Sequence, residues 1–224
     1  MGYTLDFSPV FDAFGALLWG LWLSVRLASV SMAIGVVIAI VLALGKLSGG
    51  RAIRLAINAY IEIVRNTPLL VQVFFVYFAL PVMTGLRLRP DAAATLALVI
   101  NAAAYMTEII RAGIESIDRG QIEAGLALGL RRWQVFRLIV LRPALRVVFP
   151  ALGSQFNVLL LGTSVVSAIS ATELTHEAEY INALTYRSFE VYSVVGVIYF
   201  VTSWAFSVLF GLAERRLFAY PDAR

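Results

Sequence analysis

The chain has 224 residues, 60% of them hydrophobic and 14% charged, with a formal net charge of +4. That balance excludes an ordinary soluble domain and points to an integral membrane protein with room for about four to six spanning helices of about 20 residues each. With no cysteine and one histidine, His176, disulfides, thiolate metal sites and histidine-rich metal or catalytic clusters are excluded.

Residues 1–12 carry Asp6 and Asp12 but no Lys or Arg, the reverse of a basic leader, so the first apolar segment is expected to be retained. Apolar runs follow at residues 13–44, 57–80, 92–114, 147–169 and 191–212. Lipid demands that each backbone group be satisfied internally, so long unalternating runs are read as helices. The first run is longer than a bilayer needs and Arg26 divides it. Residues 27–44 are expected to cross, with residues 13–25, including Trp19 and Trp22, as an interfacial lead-in. Pro68 predicts a kink in the second run.

Basic residues follow the first run (Lys46, Arg51, Arg54), the third (Arg119, Arg131, Arg132, Arg137, Arg142, Arg146) and the fifth (Arg215, Arg216, Arg224). The other connections hold Arg87, Arg89 and Arg187 beside Asp91, Glu173, Glu177, Glu179 and Glu190. The positive-inside rule then predicts an external amino terminus, a cytoplasmic carboxyl terminus and a cytoplasmic loop at residues 117–143. The net charge marks topology and not nucleic-acid binding. His176, in the acidic external segment 173–190, reads as a surface residue, and that segment as a solvated loop or a meeting point for an external protein.

Within the 117–143 loop, Ala124, Leu126, Ala127 and Leu128 favour a short helix starting near Asp118 or Gly120. Glu123 in its first turn would complement the dipole, and Gly129 would supply a left-handed stop. A second helix over residues 131–141 would present Trp133, Val135, Phe136, Ile139 and Val140 to the membrane or bundle, with a break at Pro143. From pattern alone the loop is either a docking element or an amphipathic hairpin held by charge.

Glu123-Ala124-Gly125-x-x-x-Gly129, with Ile139-x-Leu141 ten and twelve residues after that glycine, resembles the EAA loop of binding-protein-dependent ABC importer permeases. The resemblance is strongest to the polar amino-acid uptake branch, of MetI-like fold, and runs along nearly the whole chain. It continues through Tyr60-x-Glu62-x-x-Arg65-x-Thr67-Pro68-Leu69-Leu70-x-Gln72, Ala103-Ala104-Tyr105-x-x-Glu108-Ile109-x-Arg111-x-Gly113-Ile114 and Thr163-Ser164-x-x-Ser167. It implies an all-α type I importer permease with five transmembrane helices in a bacterial cytoplasmic (inner) membrane. Glu123, Ala124, Gly125, Gly129 and Arg132 would then form a coupling helix and its exit, docked on a separate ATPase. Also implied are an ATPase dimer holding ATP and Mg, a second permease subunit (identical or paralogous), a periplasmic or extracellular solute-binding protein and an amino-acid substrate. No cofactor is expected in this chain. Gly45-Lys46 is followed by Leu47, and position 40 is Ile, so the dipeptide does not belong to a phosphate-binding P-loop.

Three departures from the family pattern stand out: Gly125 replaces a usual second Ala, Arg142-Pro143 sets the proline one residue late, and Leu161-Gly162 replaces a frequent Lys-Asp. The missing carboxylate at 162 predicts a polar or acidic amino acid in preference to arginine or histidine.

Candidate path residues follow from cost, because polar groups in lipid must face protein or water. Gly153, Asn157, Leu160, Ser164 and Ser167 recur at helical spacing beside Thr163, and line either a helix-packing seam or a cavity. Asn101, Tyr105 and Gln72 are further cavity candidates. Glu62/Arg65 and Glu108/Arg111 are i, i+3 pairs that fit a gate or permanent fasteners. A secondary transporter or channel subunit would need a coupling-ion site or an inverted repeat, and no convincing repeat is evident. A membrane enzyme would need a metal cluster, an activated nucleophile or a buried carboxylate pair, and none presents itself.

Overall fold

A computed structural model describes residues 4–218; Arg224 lies outside the described residues. These form helices only. A short α1 (Ser8–Asp12) leads into α2 (Phe14–Ser48), a single helix of 35 residues. No break in the helix marks Arg26. Arg26 is exposed on the flank of α2, where a long cationic side chain leaves the backbone ladder intact.

Next comes α3 (Arg51–Arg65), an amphipathic helix that buries Ile57, Ile61 and Val64. The run expected over residues 57–80 is not one straight segment. After Asn66–Pro68 the chain turns by 109° into a second arm, Leu69–Thr84. The arm comprises α4 (Leu69–Phe74), a π turn (Phe75–Ala79) and α5 (Leu80–Thr84). Pro68 disfavours the helical conformation at Thr67 and is itself extended, with ψ of 139°, so the kink becomes a corner.

Then follow α6 (Pro90–Glu115), α7 (Arg119–Ala127), α8 (Arg132–Val135), a π turn (Phe136–Val140) and α9 (Leu141–Gly162). A 3-10 turn (Thr163–Ile169), α10 (Leu174–Thr185) and α11 (Ser188–Leu217) complete the chain. The break expected at Pro143 is absent, because α8, the π turn and α9 run on without a gap. Both π turns stand just ahead of a proline, Pro81 and Pro143. A proline crowds the carbonyl four residues back and offers it no N–H. Those carbonyls belong to Tyr77 and Ile139, each inside a π turn, where the wider i→i+5 geometry moves them aside.

Three helices, α2, α6 and α11, are long and apolar enough to cross a membrane, and the bent α3–α5 pair adds a fourth if counted as one span. A stripe of small buried residues on α2 (Gly20, Ser24, Ala28, Ser31, Gly35, Ala39, Ala43) allows close helix approach. At Gly35 an added Cβ would stand 3.0 Å from the Cβ of Ala102 on α6. The main core joins α2, α6 and α9 through Leu98, Met106 and Leu159. A second cluster, including Leu17, Leu174, Ala178 and Val191, binds α10 to the first turns of α2 and α11.

Candidate translocation cavity and coupling surface

The corner after α3 opens a cavity of about 430 Å³ whose polar wall is Arg65, Asn66, Thr67, Asn101 and Tyr105, with Gly162 at the end of α9. Helix ends leave carbonyls without partners, and here Gln72 supplies them: its Nε2 donates to the carbonyls of Val64 (2.7 Å) and Thr67 (2.9 Å). Gln72 Oε1 accepts from Asn101 Nδ2 at 3.1 Å. Of the path candidates on this side, Asn101 and Tyr105 line the cavity, while Gln72 staples the corner behind Asn101.

The Glu62–Arg65 pair is not formed. Glu62 Oε2 accepts from Asn66 at 2.8 Å, and the Arg65 guanidinium lies 5.3 Å from the Tyr105 ring centroid, a cation–π distance. The corner at Asn66–Pro68 redirects both side chains. The cavity wall therefore carries one cation, and no carboxylate is among its lining residues.

The stripe read along the fourth run is dispersed, because α9 ends at Gly162 and the 3-10 turn beyond it has three residues per turn. Gly153 abuts Phe210, and Asn157 Nδ2 donates to Ser207 Oγ at 2.7 Å, so both serve the α9–α11 seam. Leu160 packs with Ala28. Thr163 is buried and bonds the Leu160 carbonyl at 2.7 Å; Ser164 bonds that of Leu161 at 2.7 Å. Ser167 Oγ reaches Glu179 Oε1 at 3.0 Å. The face of α9 toward the cavity is Val158, Leu159 and Gly162 instead.

Glu108/Arg111 does form, with Arg111 Nη2 to Glu108 Oε2 at 2.8 Å. Lys46 Nζ joins at 2.6 Å and Arg111 also pairs with Glu115, so the cluster ties the end of α2 to α6.

The acidic segment read as a solvated loop or an external meeting point contains two fully buried carboxylates, Glu173 and Glu190. Glu173 caps α10, accepting from the backbone N–H of the half-buried His176 at 2.7 Å, and burial pushes its pKa up. Glu190 accepts from Asp6 N at 3.0 Å and Arg187 Nη1 at 3.3 Å. The hydroxyl of Ser8 holds the Asp6 carboxyl below its usual range. Sequence reading missed these roles because the partners lie far along the chain, at Ser24, Tyr199 and Asp6.

In the 117–143 loop, α7 starts at Arg119, where Asp118 caps it by accepting from Gly120 N at 2.7 Å. Glu123 is thus beyond the first turn and not placed to complement the dipole; it is exposed. Gly129 takes φ of +83°, and the bonds Leu130 N to Gly125 O (3.2 Å) and Gly129 N to Leu126 O (3.0 Å) close a Schellman motif. Gly125 is buried where the second loop helix folds back, and a Cβ there would stand 2.5 Å from Ile139 Cδ1. The glycine departure thus matches the bulk of Ile139. Glu123, Ala124, Leu128 and Arg132 remain exposed on the outside of the loop, Leu128 by 83%.

Residues 35–219 match the family model of the binding-protein-dependent transport system inner membrane component. The chain belongs to that family. The permease is 36% identical over 213 residues to the glutamine transport system permease protein GlnP of Escherichia coli K12, covering 95% of this chain and 97% of that one. It is 34% identical over 214 residues to the arginine transport system permease protein ArtQ of Bacillus subtilis, covering 96% and 98%. A solved amino acid ABC transporter with histidines superposes with a TM-score of 0.90 at 38% identity, over 96% of this chain and all of that one. The MetNI methionine ABC transporter, at 19% identity and a TM-score of 0.76, shares the fold. The permease is a transport subunit and not an enzyme, and a secondary transporter or channel reading falls away.

Proposed function

We propose that the permease forms half of an amino-acid import path, paired with an identical or paralogous subunit and driven by a separate ATPase dimer that holds ATP and Mg. A solute-binding protein would deliver the amino acid from outside. In this reading the chain crosses five times: α2, the α3–α5 pair, α6, α9 with its 3-10 turn, and α11. The amino terminus lies outside and the carboxyl terminus inside, in keeping with the basic residues at the ends of α2 and α11 and in the loop that follows α6. From Lys46 back to Arg26 is about 30 Å at 1.5 Å per residue, the thickness of the hydrocarbon core. The start of α2 then stands clear of the hydrocarbon on the outer side, together with α10 and the start of α11. Glu123, Ala124, Gly125, Gly129 and Arg132 supply the coupling surface. ATP binding draws two such loops together and rocks the helices as rigid bodies.

The cavity wall carries the substrate reading. Arg65 answers a carboxylate, Asn101 and the Tyr105 hydroxyl answer polar groups, and no lining carboxylate awaits a cationic side chain. Polar neutral or acidic amino acids fit this wall better than arginine or histidine. Uptake by the reconstituted permease with its ATPase and binding protein, across a panel of amino acids, tests this. Preference for glutamine, glutamate or a similar polar solute is expected; preference for arginine overturns it.

A further inference from the structure

We propose that Glu173 is a positioning residue of the transport path, pinning α10 to α2 and α11 and so holding the external end of the path closed. This rests on the importer reading above. The carboxylate is fully buried where three helices meet. Its Oε1 accepts from His176 N at 2.7 Å, and its Oε2 accepts from the Tyr199 hydroxyl at 2.8 Å and the Ser24 hydroxyl at 3.3 Å. Ser24 Oγ accepts in turn from Leu174 N at 3.1 Å. Gly20 makes this approach possible, since a Cβ there would stand 2.9 Å from the Cα of Leu174.

The pin is joined to the turn that follows cavity-lining Gly162. Ser167 in that turn donates to Glu179 on α10 at 3.0 Å, and the Tyr199 hydroxyl also bonds that of Thr175 on α10 at 3.1 Å. The 3-10 turn ends at Ser170, whose φ of 58° few non-glycine residues adopt. The path to α10 is thus short and conformationally specified. A buried carboxylate is costly unless its lone pairs are filled. Those of Glu173 are filled by hydroxyls and a backbone amide, and among the described residues no cation pairs with it. Such a contact separates without stranding a buried cation. Lys46–Glu108–Arg111, by contrast, has the chemistry of a permanent tie.

The chain has no cysteine, so Ser164→Cys places a single reporter two residues beyond cavity-lining Gly162. A membrane-impermeant maleimide is added outside right-side-out vesicles holding the assembled, nucleotide-free transporter. Glu173→Ala is expected to raise the labelling rate about tenfold, the effect of losing one charge-assisted set of hydrogen bonds. Tyr199→Phe should raise it in the same direction, and Glu173→Gln, which keeps shape and one acceptor, should return it toward the parent rate. An unchanged rate per assembled complex in Glu173→Ala overturns the proposal. Where Glu173→Ala does not assemble with the ATPase, an unchanged rate in Tyr199→Phe overturns it. Failure of the importer reading would show separately, as absence of ATP-driven uptake by the unaltered chain.

Discussion

Single residues decide whether the irregular backbone of this permease can exist at all. Gln72 is the clearest case, because its amide fills two carbonyls that the corner at Pro68 leaves open. Replacing it by Leu keeps the volume and removes the donor. An unsatisfied buried acceptor costs roughly 1–3 kcal/mol, so Gln72→Leu should lower the thermal unfolding midpoint of the detergent-purified complex and weaken uptake. An unchanged midpoint would show that water or the polar wall replaces the amide. Asn101 loses its partner in the same variant, so the cavity wall is disturbed with the corner. Gly129 works by a different route, supplying the left-handed stop that sequence alone indicated. It was legible because the need is local: a helix ends and one residue type fits. Gln72 was legible as polar but not as a staple, since its partners are defined by a turn angle that composition does not encode.

Among elements, the two π turns carry the lesson that proline is read more easily than its consequence. A break at Pro143 is a sound expectation from local sterics, yet the chain absorbs the ring by widening one turn, and the loop stays rigidly joined to α9. In the proposed function that joint matters for coupling, because a loop moved by the ATPase would then turn α9 and its cavity-facing Gly162. Pro143→Ala removes the cause of the widening. Relaxation to a regular helix would rotate α7 and α8 by about 100° relative to α9, one residue's turn at 3.6 per turn. We expect membrane insertion to persist while ATP-driven uptake falls severalfold, measured in proteoliposomes with the ATPase at matched amounts. Retained uptake would mean that Phe136–Val140 is held by packing and not by the proline. The fourth run shows the same limit of periodicity. Gly153, Asn157, Ser164 and Ser167 share a face only if one helix geometry holds throughout; Gly153 and Asn157 face α11, and the change at Gly162 turns Ser164 and Ser167 to other neighbours.

At the scale of the whole molecule, the proposed function assigns selection and drive to separate regions: the cavity at Arg65, Asn101, Tyr105 and Gly162, and the exposed loop at Glu123 and Leu128. Membrane class and the basic, polar loop were visible from composition and motif, whereas the cluster around Glu173 was not, because it joins residues 149 positions apart. The separation yields a prediction that neither region makes alone. Glu123 is exposed, lies outside the capping turn of α7 and contributes nothing evident to the fold of this chain. Reversing its charge should therefore leave insertion and cavity intact while disrupting a complementary contact on the ATPase, since like charges facing each other at a contact cost several kcal/mol by general experience. Glu123→Lys is expected to abolish uptake and to leave ATP hydrolysis running without transport. The measurement pairs substrate uptake with phosphate release in the same vesicles, alongside the amount of permease inserted. Unchanged uptake would remove Glu123 from the coupling surface, and loss of inserted permease would assign it to folding instead.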